Sequence, residues 1–190
     1  MGNIKKLRKK YHTPKKLWEK NTIVSEKELT KKYGFKNKKE IWKINTLLAN
    51  FKAQAKKIIR TRGEQAEVEK NQLMGKLTRL GLLDENATID DVLSLSNEDI
   101  MGRRLQTLVH KKGLSGSVKQ ARQLIVHKHI AIGDNKMTAP SYLCTLEEEG
   151  KIGYSSFSRF ASESHPEREV LLNKLKGGEG EVKKSEEVAE

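Results

Sequence analysis

The sequence predicts a mostly helical α+β fold, and three observations lead to that expectation. Apolar residues recur at three- and four-residue spacing through most of the chain between Ser25 and Ile125. Capping patterns stand before these runs and glycines behind them. After His127 the apolar period shortens to two. The expected arrangement is a helical N-terminal scaffold and a small unit of two helices with a short β-element.

Residues 1–22 are basic, lack a sustained apolar period and are interrupted by Pro14, so they read as an extended arm anchored by Tyr11, Leu17 and Trp18. Ser25 with Glu28 is a capping-box pattern for a helix that runs to Tyr33 and stops at Gly34. Asn37 and Glu40 repeat the pattern. Behind them Ile41, Ile44, Leu48, Phe51, Ala55, Ile58 and Ile59 define a long amphipathic helix to about Arg62, with Lys43, Lys52, Lys56, Lys57 and Arg60 outside and Gly63 as its end. A helix over 65–80 sets Leu73, Leu77 and Leu80 on one side and stops at Gly81. Thr88 with Asp91 and Ser96 with Asp99 start two more helices, the second continuing through Leu105, Leu108 and Val109 to Gly113. Ser117 with Gln120 opens another, burying Val118, Ala121, Leu124 and Ile125.

Ile130 and Ile132 then alternate, Gly133-Asp134-Asn135 is a turn, and Tyr142, Cys144 and Leu146 alternate again, which reads as short strands on the two preceding helices. Past Tyr154 one helical stretch fits 168–175, while GGEGEVKKSEEVAE at 177–190 has almost nothing to bury and is expected to be disordered. No internal repeat is visible. The expected divisions are an arm at 1–22, a scaffold at 23–102, a module at 103–154, a return segment at 155–176 and an acidic tail at 177–190.

The 190 residues carry 38 Lys+Arg against 25 Asp+Glu, a net charge of +13, with only 35% hydrophobic residues. Residues 1–62 hold 20 basic and 4 acidic side chains (+16), 63–102 hold 3 and 9 (−6), 103–146 hold 8 and 1 (+7), and 147–190 hold 7 and 11 (−4). Two basic blocks flank an acidic one. A polyanion such as RNA rewards that layout, because each cation that neutralises a phosphate releases condensed counterions. No apolar run exceeds three residues, so no span of about 20 exists, and the amphipathic helices need their apolar faces for a core rather than a lipid surface. The basic start has no apolar stretch behind it and is not read as a secretory signal. The single cysteine, Cys144, allows no intrachain disulfide or multi-cysteine zinc site, and a reducing cytoplasmic setting is expected.

Within 103–154 the helix RRLQTLVHKKG points Leu105, Leu108 and Val109 inward and is expected to expose Arg104, Lys111 and Lys112. The helix SVKQARQLIVHKH does the same with Lys119, Arg122 and Gln123. Arginine forks and mobile lysines together suit a surface that reads a phosphate backbone.

Arg104-Leu105, Gly113, Ala121-Arg122-Gln123-Leu124-Ile125, His127-Lys128, Ile130 and Pro140-Ser141-Tyr142 resemble the small RNA-binding domain named after ribosomal small-subunit protein four. That resemblance implies an α-L motif: two antiparallel helices and a short β-element. The same module also occurs in pseudouridine synthases, tyrosyl-tRNA synthetases and heat-shock RNA binders. Lys9-Lys10-Tyr11, Thr13-Pro14, Leu17-Trp18-Glu19, Lys32-Tyr33-Gly34 and Asn37-Lys38-Lys39-Glu40-Ile41-Trp42 resemble the N-terminal half of the ribosomal family in its archaeal and eukaryotic branch, where the module is inserted into a helical domain. His165-Pro166-Glu167-Arg168 is similar to archaeal members, so the resemblance covers about 5–170. Bacterial members often carry an N-terminal cysteine cluster for metal. This chain has no cysteine before Cys144, so no zinc or other cofactor is expected.

The resemblance implies a non-enzymatic constituent of the small, 30S-type ribosomal subunit. Such a protein binds 16S-type ribosomal RNA directly, nucleates assembly of the subunit body and contributes with the neighbouring ribosomal protein S-five to decoding accuracy. Other small-subunit proteins are implied partners, contact with messenger RNA near the entry channel stays open, and neither a membrane nor an independent homo-oligomer is expected. The candidate RNA-binding residues are Arg104, Lys111, Lys112, Lys119, Arg122, Gln123, His127 and Lys128 in the module. By charge density they extend to Lys5, Lys6, Arg8, Lys9, Lys10, Lys15, Lys16, Lys38, Lys39, Lys56 and Arg60. The arm is expected to order only when RNA neutralises it.

Competing assignments are plainer. His110 and His129 read as structural or exposed, Cys144 as a small buried hydrophobe, and Trp42 as core, with Trp18 open between base stacking and packing. Glu147-Glu148-Glu149 reads as a solvated loop, because three consecutive side chains do not converge on one point. An RNA-modifying enzyme fragment with this module would need a catalytic domain of about 100 residues or more, and only 36 follow Tyr154. A free-standing stress or recycling factor would use the same basic surface.

Overall fold

A computed structural model of the chain describes residues 9–61 and 63–162, with His165, Pro166 and Arg168. The chain divides between Met101 and Gly102 into two compact units. It is α+β and mostly helical, and no helix among the described residues is long and apolar enough to cross a membrane.

In the first unit, α1 (Lys20–Tyr33) begins within the expected arm, five residues before Ser25, and ends at Gly34 in the left-handed conformation, φ 62°. Ser25 is not its cap: the hydroxyl donates to the carbonyl of Thr22 inside the helix at 3.1 Å. The neighbouring Glu26 is only 6% exposed. Its carboxylate accepts from Trp42 Nε1 at 2.8 Å and pairs with Lys38 Nζ at 2.8 Å, both on the following helix. Satisfying a buried carboxylate is worth more than a cap, so Glu26 faces α2 and the helix starts earlier.

Helix α2 (Lys38–Arg60) buries Ile41, Ile44, Leu48, Phe51, Ala55 and Ile58 as its period demands, while Ile59, expected inside, is 52% exposed. α3 (Glu64–Arg79) packs against it through Ala66, Leu73 and Leu77. α4 (Ile89–Ser94) carries the Thr88–Asp91 capping box. The Asp91 carboxylate accepts from the Thr88 backbone N–H at 2.7 Å and its hydroxyl at 2.9 Å, which holds that carboxyl below its usual range. α5 (Asn97–Gly102) is opened by the same contacts between Ser96 and Asp99, 2.7 and 2.9 Å.

The helix expected to run unbroken from Ser96 to Gly113 is interrupted. Arg104 is extended, at φ −70° and ψ 140°, and bridges Leu143, with Leu105 N–H donating to Tyr142 at 2.8 Å and Cys144 N–H to Arg103 at 3.1 Å. In the second unit α6 (Leu105–Lys111) therefore starts afresh and packs on α7 (Val118–Val126). Three strands follow, β1 (Ile130–Ile132), β2 (Asn135–Lys136) and β3 (Ile152–Tyr154), in antiparallel order β2-β1-β3, pairing Ala131 with Lys136 and Ile132 with Ile152. Residues 142–146 were expected to form a strand and contribute only the Leu143 bridge. Thr145 and Glu148 close a capping box instead and start α8 (Leu146–Gly150), so the three glutamates sit in a helical turn rather than a loop. Leu105, Leu108, Val109, Ala121, Leu124, Ile125, Ile130, Ile132, Cys144 and Ile152 form the core. A short 3-10 turn, Arg159–Ala161, sets Phe160 edge-on to His129 and stacked on Tyr154, with centroids 5.1 and 6.1 Å apart. Apart from Arg168, the helix expected at 168–175 and the 177–190 tail lie outside the described residues.

Candidate nucleic-acid interface

Helix α7 is the best-organised candidate surface. Ser117 caps it, its hydroxyl accepting from Gln120 N–H at 3.2 Å. The nine residues that follow bury Ala121, Leu124 and Ile125 against α6 and the sheet. Helical spacing then forces Lys119, Arg122, Gln123 and Val126 onto the opposite face. Lys119 and Gln123 are exposed, Arg122 is half-buried and Val126 is 51% exposed. His127 and Lys128 continue past the helix end, both exposed.

Lys128 stands out by its backbone. The described helices α3 and α6 end on glycines with positive φ, Gly81 at 66° and Gly113 at 71°. Each makes the paired closing bonds of a Schellman turn: Leu82 N–H to Leu77 at 3.0 Å, and Leu114 N–H to Val109 at 3.2 Å. α7 closes the same way, His129 N–H to Leu124 at 2.9 Å and Lys128 N–H to Ile125 at 3.0 Å, yet the left-handed position is Lys128, φ 64°. Among the described residues it is the one non-glycine with positive φ. A side chain there costs about 1–2 kcal/mol.

The structure separates the other candidates. Arg104, expected on the surface, is 1% exposed, because the break before α6 turns it inward. Lys111 and Lys112 are exposed at the end of α6, and Lys112 Nζ donates to the carbonyl of Glu149. Only residues 113–116 separate Lys112 from the Ser117 cap, so Lys111, Lys112 and Lys119 lie at the end of the helix pair where α6 stops and α7 begins. In the first unit Lys9, Lys10, Lys15, Lys16, Lys39, Lys56 and Arg60 are exposed. Lys56 and Arg60 are one turn apart on α2, with half-buried Lys52 in the same row. Lys38 is committed to Glu26. Lys5, Lys6 and Arg8 lie outside the described residues.

Of the three expected arm anchors, Tyr11 alone is half-buried, its ring 5.9 Å from that of Trp42, and His12 N–H donates to Thr46 on α2 at 2.9 Å. Leu17 and Trp18 are exposed, 39% and 90%. Trp42 is half-buried rather than core, because its N–H serves Glu26.

The remaining polar groups fit packing. His110 Nδ1 lies 3.1 Å from the Ser115 carbonyl and His129 Nδ1 3.0 Å from the Ser158 hydroxyl. Arg103 pairs with Glu149 at 2.6 Å. Burial pushes the Cys144 thiol up to about 12, so it is a neutral small hydrophobe at pH 7. Among the described residues no three His, Cys, Asp or Glu side chains gather to hold a metal. One pair escaped sequence reasoning: Phe157 is 83% exposed and Lys136 Nζ sits 3.8 Å over its ring. The only signal was a phenylalanine set between serines in the segment YSSFS.

Residues 103–149 match the S4 domain family. The small ribosomal subunit protein uS4 of Methanococcus aeolicus is 54% identical over 169 residues, 88% of this chain and 96% of that one. The proteins of the same name from Picrophilus torridus and Saccharolobus solfataricus are 48% and 44% identical, covering 88% and 97% of this chain and 93% and 100% of theirs. With this likeness extending through both units, the chain belongs to the uS4 family of small ribosomal subunit proteins.

Proposed function

We propose that the protein is a non-enzymatic constituent of the small ribosomal subunit that binds 16S-type ribosomal RNA through two basic faces. One is the α7 row of Lys119, Arg122 and Gln123 with His127 and Lys128, flanked by Lys111 and Lys112. The other is the arm and the α2 row of Lys56 and Arg60. The observation that carries this reading is the α7 face, where basic and polar side chains project from a capped, rigidly packed helix inside the S4-domain segment. Contacts of this kind position a protein on a sugar-phosphate backbone without reading sequence. The protein works in the cytoplasm, nucleates assembly of the subunit body and, beside ribosomal protein S-five, supports decoding accuracy.

Sedimentation of cell extracts through sucrose gradients tests the reading. Stoichiometric co-migration with small subunits that survives a high-salt wash supports it. Loss to the free fraction overturns it in favour of a free-standing RNA-binding factor.

A further inference from the structure

Phe157 is 83% exposed, although burying a phenylalanine would contribute roughly 1.5–3 kcal/mol. It is not on a loose strand of chain. Ser155 and Ser158, on either side, are 3% and 8% exposed. Ser155 N–H donates to the His129 carbonyl at 2.8 Å and Ser158 N–H to Ser155 at 2.8 Å, closing a tight turn with Phe157 at its crest. The inward aromatic position is already filled by Phe160 against His129 and Tyr154. Phe157 is thus presented outward by a fixed turn.

Lys136, on β2, holds its ammonium 3.8 Å above the ring centroid, within the range of a cation–π contact. One ring face carries the cation, and an exposure of 83% leaves the other open. The exposed residues near it in sequence are Ser156, Arg159, Ala161 and Ser162, with Lys151 just before β3, and residues 151–162 contain no acidic side chain. A protein-binding hot spot would sit in a larger apolar patch. A single ring in a basic, polar setting has the composition of a base-stacking platform.

We infer that Phe157 stacks one unpaired base of the bound RNA on its open face, with the Lys136 ammonium set against the same nucleotide's phosphate. The inference rests on the proposed RNA-binding function and extends the interface beyond the 103–149 segment matched to the S4 domain.

The test is filter binding of the full-length protein to deproteinised small-subunit ribosomal RNA, with excess transfer RNA as competitor, across a salt series. Phe157→Ala is expected to melt like the parent and bind about 5- to 150-fold more weakly, the range for one base–aromatic stack. The slope of log K against log salt should stay the same, since no charge is removed, and Phe157→Trp should restore affinity. An affinity within twofold of the parent for Phe157→Ala overturns the inference, as does a loss that Phe157→Trp does not restore. If the unaltered protein shows no preference for this RNA over transfer RNA, the functional reading itself fails and the stacking site fails with it.

Discussion

Replacing Lys128 tests whether α7's unusual end is kept for RNA. Lys128 occupies a left-handed backbone position that α3 and α6 give to glycine. An L-residue there costs about 1–2 kcal/mol. Glycine would remove that cost but return roughly 0.5–1 kcal/mol through the larger freedom of its unfolded chain. Lys128→Gly should therefore stabilise the second unit by about 0.5–1 kcal/mol, raising Tm by roughly 2–8 °C for a unit of 60–100 residues. The same change removes one exposed cation, so RNA affinity should fall and the salt slope should shrink by about 0.7–0.9 for one lost phosphate contact. Lys128→Ala separates the effects, because it loses the charge and keeps the strained backbone. It should bind RNA as poorly as Lys128→Gly without the gain in Tm. Thermal melts monitored by circular dichroism and filter binding over a salt series supply both readouts. A lower Tm for Lys128→Gly, or an unchanged salt slope in both variants, would refute the reasoning.

Two arginines in the same unit should respond in opposite ways. Arg104→Ala, at a side chain 1% exposed, should cost about 2 kcal/mol or more of stability by melting. Arg122→Ala should move Tm far less and weaken binding to a structured small-subunit RNA junction by about 1–3 kcal/mol in a filter titration. Cys144, its thiol pushed up to about 12, should resist iodoacetamide at pH 7–8 in the folded protein and react once the chain is unfolded in guanidinium. Labelling at the same rate in both states would show that the thiol is not buried.

What was legible in the sequence followed local chemistry. The apolar spacing of α2 placed every residue that the helix buries and wrongly added only Ile59, and the caps at Thr88, Ser96 and Ser117 stand as their spacing implied. The misses come from contacts between distant residues. Arg104 reads as a helix-surface cation unless one knows that Leu143, 39 positions on, bridges its backbone and breaks the helix. β3 is three residues long, too short for an alternating pattern, and its existence depends on pairing with β1. Ser25 and Glu28 have cap chemistry, but the partners that Glu26 finds on α2 decide the helix start.

Resolved along the chain, charge implied a basic block followed by a separate acidic spacer, and the fold changes that picture. Lys57 of α2 pairs with Glu69 of α3 at 3.3 Å, and Lys32 of α1 pairs with Glu98 of α5. Both acids come from the segment that sums to −6, so part of the spacer's charge is spent along the helix seams of its own unit. These pairs are substantially exposed, and exposed pairs add little stability. Their larger effect is on where a polyanion can lie. A phosphate near Lys32 or Lys57 also meets a carboxylate, whereas Lys56 and Arg60 stand exposed in a row of their own on α2. Acidic residues along the seams thus take part of the basic block out of any surface open to a polyanion, so the fold as well as the charge total bears on which lysines are left to meet one.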